Sequence, residues 1–269
     1  MNLNRKMIRF SQLLTVFALL FGAAFFSFAQ ANKPDEKAEA ILAKAVQKLG
    51  GEKYLQIKSV VGSGNFSIYR EGQSQITQSF IDIIVFPDRE RTEFKTGGTR
   101  TIQTNVGETG WLADTSAKVI KEQDKDQIEG FKRSMRTSLD NLLRGSWRRD
   151  AALSFVGRRE ASLGKRNNVV RLTYPDNFTV EFEFSDEGLP MKSVYKRTNA
   201  EGAEVREEDR YAQFIDVQGI YAPFIIDHFQ NGAQTSRINY LKIEYNKIIP
   251  DSIFNKPADA KELKKDLKF

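Results

Sequence analysis

The chain has 269 residues, a formal net charge of +6, no cysteine and a single histidine. Without cysteine there is no disulfide frame, no Cys/His nucleophile pair, no thiolate zinc site and no lipid-modified N-terminal cysteine. His228 alone cannot complete a metal site. Burial must therefore stabilise the fold.

Arg5, Lys6 and Arg9 precede a mostly apolar run from Leu13 to Phe28, and Ala29-Gln30-Ala31 supplies small residues at a cleavage-like site. Residues 1–31 read as a secretory signal peptide; the competing reading, a membrane anchor, is disfavoured by Gly22, Ser27 and the shortness of the run. Its removal takes away three basic residues and no acid, which lowers the charge from +6 to +3. The expected location is the periplasm, with the signal cleaved and no lipid attached.

Asn32-Lys33-Pro34-Asp35 opens a helix in which Ala38, Ile41, Leu42, Ala45, Val46 and Leu49 share one face until Gly50-Gly51 stops it. From Ser59 the apolar period falls to two, with breaks every eight to twelve residues, which predicts about 11 antiparallel strands. Ile81 to Phe86 is apolar on both faces and should be covered on both. Pro87-Asp88 ends it, and turns at Gly97-Gly98 and Gly107-Glu108-Thr109-Gly110 give a meander leading into Trp111. Gly62-Ser63-Gly64 opens no helix and reads as a bulge or a close backbone approach, not a phosphate loop.

Asp124-Lys125-Asp126 caps a mid-chain helix with Ile128, Phe131, Met135, Leu139 and Leu142 at spacings of three and four, and Lys132, Arg133 and Arg136 opposite. Its basic side reads as a solvated face, or as weak attraction to anionic lipid heads; export argues against nucleic acid. Further on, Phe178, Val180, Phe182 and Phe184 alternate with Thr179, Glu181 and Glu183, one face apolar and the other wet. Glu181 and Glu183 are the nearest thing to an acid/base pair, but their place beside a phenylalanine stripe reads as the solvated side of a strand. No catalytic residue, metal site or cofactor is expected.

The combination of an exported chain, an N-terminal amphipathic helix, a long meander, Val85-Phe86-Pro87-Asp88-Arg89, the Gly107–Trp111 turn and a mid-chain helix resembles the periplasmic lipoprotein carrier LolA and its relatives. The Phe214–Pro223 and Asp251–Pro257 segments look like the last strands of the broader outer-membrane lipoprotein-sorting group. The resemblance implies a mainly β fold with helices (α+β): a single, strongly curved antiparallel half-barrel over residues 32–257, with helices as a lid on an apolar cavity. Residues 258–269 are left as a charged tail.

It also implies a monomeric, non-enzymatic carrier of acylated lipoprotein or another lipid, between an inner-membrane donor and an outer-membrane acceptor. The alternative is an envelope sensor of the same fold that acts through protein contacts. Cavity or lid residues are then Ile84, Phe86, Trp111, Phe131, Met135, Leu139, Phe178, Phe182 and Phe184. The competing reading of each is ordinary core, because a filled and a hollow barrel use the same alternation. Phe86 stands where the family has an arginine before the proline, and Gly107-Glu108 where it has Asp-Gly. Arg89 and Arg91 are left as candidates for the lid latch.

Overall fold

The computed structural model describes residues 35–259 and 262–263. The expected signal peptide and most of the charged tail lie outside the described residues. The described residues from Glu36 onward make up one unit, built on a curved, open, antiparallel sheet of thirteen strands. Its strands are β1 (Ser59–Arg70), β2 (Gln73–Val85), β3 (Arg89–Thr96), β4 (Thr99–Val106), β5 (Thr109–Asp114), β6 (Val119–Glu122), β7 (Ala152–Ser162), β8 (Lys165–Thr173), β9 (Thr179–Phe184), β10 (Pro190–Thr198), β11 (Glu204–Val217), β12 (Ile220–Gln230) and β13 (Ala233–Tyr245).

The order across the sheet is β6-β5-β4-β3-β2-β1-β13-β12-β11-β10-β9-β8-β7. The chain thus meanders to one edge at β6, re-enters at the opposite edge at β7 and meanders back until β13 pairs with β1. The segment between β6 and β7 is mostly helical: α3 (Lys125–Thr137), α4 (Leu139–Leu143) and a 3₁₀ turn at Ser146–Arg149, with α1 (Glu36–Leu49) and α2 (Glu52–Leu55) preceding β1.

The strand count exceeds the eleven expected because two kinds of strand carry little alternation. β6 and β7 are edges, and in β8 both Val169 and Val170 are buried, so no period of two marks it. The Gly62-Ser63-Gly64 reading as a close approach agrees with the structure. The β1–β13 register shifts between Ser63 and Gly64, and a Cβ on Gly64 would lie 2.0 Å from the Asn239 carbonyl oxygen.

Helix α1 buries Ala38, Leu42, Ala45 and Leu49 against Val170, Leu172, Val180, Phe182 and Phe184, together with Leu142, Leu143 and Trp147. The mid-chain helix departs from the continuous stripe expected. It breaks at Ser138, whose extended backbone ends α3 and whose hydroxyl accepts from Asn141 N at 3.1 Å to cap α4. At its other end Asp124 and Gln127 form a reciprocal capping box.

The opposite, outer face is closed differently on its two halves. Over β1–β5, Ile249, Ile253 and Phe254 cover Val61 and Ile83, and the Trp111 indole N–H donates to the Phe254 carbonyl at 2.8 Å. Leu263, assigned to the tail by sequence, packs with Ile102, Trp111 and Ala113. Over β7–β13 the outer face carries ion pairs. Glu183 is fully buried and accepts from Arg159 at 2.9 Å and Asn167 at 3.0 Å, so the glutamates of β9 are not the solvated row their alternation suggested.

Phe182 fills space beneath α1 completely. Phe182→Ala should lower the unfolding free energy by about 3–5 kcal/mol, whereas Leu163→Ser, at a position 98% exposed, should leave it unchanged within about 0.5 kcal/mol. Urea titration followed by tryptophan fluorescence reads both.

Candidate ligand-binding face

Cross-strand pairing sorts the residues of β1–β5 between the two faces, since directly opposed side chains share a face. On the helix-bearing face, Val60, Ile84, Glu90 and Asn105 form one row, and Gly62, Asp82, Thr92 and Gln103 the next. Gly64, Phe80, Phe94 and Thr101 follow. The aromatics of this face meet in a chain: Phe66 to Phe94 at 5.2 Å between centroids, Phe80 to Phe94 at 6.5 Å, Phe80 to Tyr240 at 5.4 Å and Phe224 to Tyr240 at 6.5 Å. Gly62 makes room for that chain, because a Cβ there would come within 2.5 Å of the Tyr240 ring.

Helix α3 lies across this face, and a cavity flanks each of its sides. One, of about 300 Å³, runs between α3 and β3–β4, with Glu90, Thr92, Phe94, Asn105, Phe131 and Ser134 in its wall. The other, of about 400 Å³, lies toward β9–β10 and holds Lys132, Arg133, Arg136, Phe178, Lys196 and Arg197.

The helix itself is lightly held. Only Phe131 and Thr137 of its thirteen residues are buried. Its C-terminal end is clamped through Arg136, which makes paired hydrogen bonds of 2.8 and 2.7 Å to Asp176 and stacks over Tyr174 and Phe178 at 3.9 and 4.7 Å. The Arg136 guanidinium holds the Asp176 carboxyl down at about 2. One turn earlier, in the middle of the helix, Lys132 reaches the exposed Glu108 at 3.1 Å.

Of the residues proposed from sequence, Phe131 and Phe178 line the two cavities, and Met135 is half-buried on α3. Ile84 belongs to the helix-bearing face. Phe86 and Leu139 pack at the margin of the main core, with the Arg144 guanidinium 4.0 Å over the Phe86 ring. Phe182 and Phe184 are core, fully covered by α1.

Trp111, expected in the cavity, lies on the outer face, in register with Thr104, Arg91 and Ile83. Arg89 and Arg91, the latch candidates, also serve the C-terminal segment. Arg89 pairs with Asp251 at 2.5 Å, and Arg91 bonds Glu93 at 2.6 Å and the Ile253 carbonyl. Neither makes a hydrogen bond or ion pair to α3.

Sequence reading missed Asp82 and Glu90. The available signal was a carboxylate set into the apolar run Ile81-Asp82-Ile83-Ile84. The Thr92 hydroxyl donates its one proton to Asp82 at 2.7 Å and also neighbours Glu90. Burial raises Asp82 to about 6, against the pull of Thr92; burial and then the Asp82 charge raise Glu90 to about 8. His228, the lone histidine, bonds Asp209 through Nδ1 at 2.6 Å, and Asp209 also accepts from Ser193 at 3.3 Å. The aspartate stands between serine and histidine, so no nucleophile–base contact forms. Among the described residues no three His, Asp or Glu side chains converge as a metal site.

Solved structures share this architecture. The chain is similar to a LolA superfamily protein from Nitrosomonas europaea, at 15% identity and a TM-score of 0.56, over 81% of this chain and 97% of that one. It is also similar to an outer membrane lipoprotein-sorting protein domain from Vibrio parahaemolyticus, at 12% identity and a TM-score of 0.55, over 86% and 99%. No protein-family model and no curated protein sequence matches the chain. The fold is LolA-like, as the resemblance implied.

The raised carboxyl values carry a sign. Folded Glu90 holds its proton to about 8, above its ordinary 4.5, so its contribution to stability is present in acid and is lost as pH rises through 8. Glu90→Gln should therefore raise Tm above that of the parent at pH 8.5 by several degrees. The two curves should converge near pH 4 in a calorimetric series.

Proposed function

We propose that this protein is a non-enzymatic periplasmic carrier that holds the acyl chains of a lipoprotein, or another lipid, on the helix-bearing face beneath α3. It receives them from an inner-membrane donor and passes them toward the outer membrane. The observation that carries the proposal is the lightly anchored helix lying over an aromatic floor with a cavity on each flank, in a fold shared with lipoprotein-sorting proteins.

The energetics are adequate. Burying a methylene is worth about 0.8 kcal/mol, so a dozen give roughly 10 kcal/mol gross before ordering costs. The lid is easily displaced by comparison. The exposed Arg136–Asp176 pair contributes about 0–1 kcal/mol, and α3 buries two residues where α1 buries four. Helix α3 is thus lightly held, and opening it leaves the core under α1 intact.

Native mass spectrometry of protein purified from a periplasm, followed by solvent extraction, should return an acylated species. A bare mass with no uptake of a fluorescent acyl probe would overturn the carrier function; recovery of a constant membrane-protein partner in its place would turn the search to the sensor alternative. Phe131→Asp should weaken probe binding at least tenfold while far-UV circular dichroism keeps its β signature, because the sheet does not depend on α3 for its core.

A further inference from the structure

The two flanks of α3 differ in chemistry. The β9–β10 side gathers Lys132, Arg133, Arg136, Lys196 and Arg197 together with the acids Glu129 and Asp176. The wall of the β3–β4 side holds no lysine or arginine: it consists of Phe94, Phe131 and Gly130 with the polar groups of Glu90, Thr92, Gln103, Asn105, Gln127 and Ser134. Asp82 lies behind Glu90 on the same face, one row along the strands. The Asn105 and Gln127 amide oxygens already accept hydrogen bonds, the Thr92 hydroxyl is given to Asp82 and the Ser134 hydroxyl to the Phe131 carbonyl, so the Glu90 carboxyl is the acceptor that stands beside the two aromatic rings.

From this, and resting on the carrier function above, we propose that the cavity between α3 and β3–β4 seats the head of the bound amphiphile, and selects heads that donate hydrogen bonds (hydroxyl, amide or ammonium) over carboxylate or phosphate.

An anionic head placed here lies beside Glu90, with Asp82 one row behind it, and no cation in the wall compensates its charge. A donor head meets Glu90 as an acceptor. When Glu90 carries its own proton, the carboxyl still offers its carbonyl oxygen, so a neutral amide or hydroxyl is bound across the neutral range. An ammonium head also favours the ionised form of Glu90 by direct pairing. The aromatic chain from Phe94 through Phe80 to Tyr240 continues from the head site along the sheet and provides the apolar track for the chain.

The experiment compares three amphiphiles of one chain length, monododecanoyl glycerol, dodecylamine and dodecanoate, as competitors for a fluorescent apolar probe on the full mature protein at pH 7.5, below their micelle concentrations. The glyceride and the amine should displace the probe at concentrations at least tenfold lower than dodecanoate. In the Asp82→Asn/Glu90→Gln double variant dodecanoate should gain about tenfold and the amine should lose a similar factor. Equal or tighter binding of dodecanoate to the parent protein overturns the proposal without any variant having to fold. So does a double variant that folds, by circular dichroism, and keeps the parent's order. If none of the three displaces the probe, or the probe does not bind, the carrier function fails and the head-group selection with it; if all three compete equally, the carrier function stands and the selection alone is refuted.

Discussion

One topological constraint organises this protein. The meander of β1 to β6 ends at one edge of the sheet, and the next strand, β7, forms the other edge. The chain between them has 29 positions, 123–151, and must cross a whole face of a thirteen-stranded sheet to reach its destination. A helix-rich crossing satisfies its own backbone groups on the way and needs only side chains for contact. That is why α3, α4 and the 3₁₀ turn lie over one face, and why the same face has both a firmly packed region and a loosely covered one.

The firm region is where α1 joins the crossing. Ala38, Leu42, Ala45 and Leu49 meet Leu142, Leu143, Trp147 and the apolar side of β8 and β9, and the phenylalanines there are core. The loose region is under α3, ahead of the break at Ser138. There the helix has Phe131 and the Arg136 clamp for anchors, and the floor beneath it is aromatic but half-covered. A single crossing therefore divides one face into a firmly packed part and a loosely covered one.

Among the described residues no α-helix covers the outer face, which is closed by other means. The C-terminal segment covers β1–β5, held by Trp111, Arg89 and Arg91, and ion pairs among Arg159, Arg171, Glu181, Glu183, Lys192, Arg206, Glu208 and Arg210 line the second half. Charges so placed keep the broad outer surface from presenting an apolar sheet, and their mutual pairing offsets the burial of Glu183 and Glu208.

Sequence by itself determined the local events, because these depend on near neighbours along the chain. The period of two from Ser59, the turns at Gly97-Gly98 and Gly107, the Asp124 cap, the α1 face and the close approach at Gly62-Ser63-Gly64 all followed from backbone sterics and side-chain spacing. Which face each strand residue occupies relative to the helices was decided only by the tertiary structure. Alternation gives two rows per strand but does not label them, so Phe182 and Trp111 looked alike while one lies under α1 and the other under the C-terminal segment. Arg89 and Arg91 turn to the C-terminal segment while Arg136 anchors α3 for the same reason: the partners Asp251, Ile253 and Asp176 lie 162, 162 and 40 positions away along the chain, and no local pattern reports them. The Asp82–Glu90 pair depends on the β2–β3 register, which joins two carboxyls that the sequence holds eight residues apart around a turn.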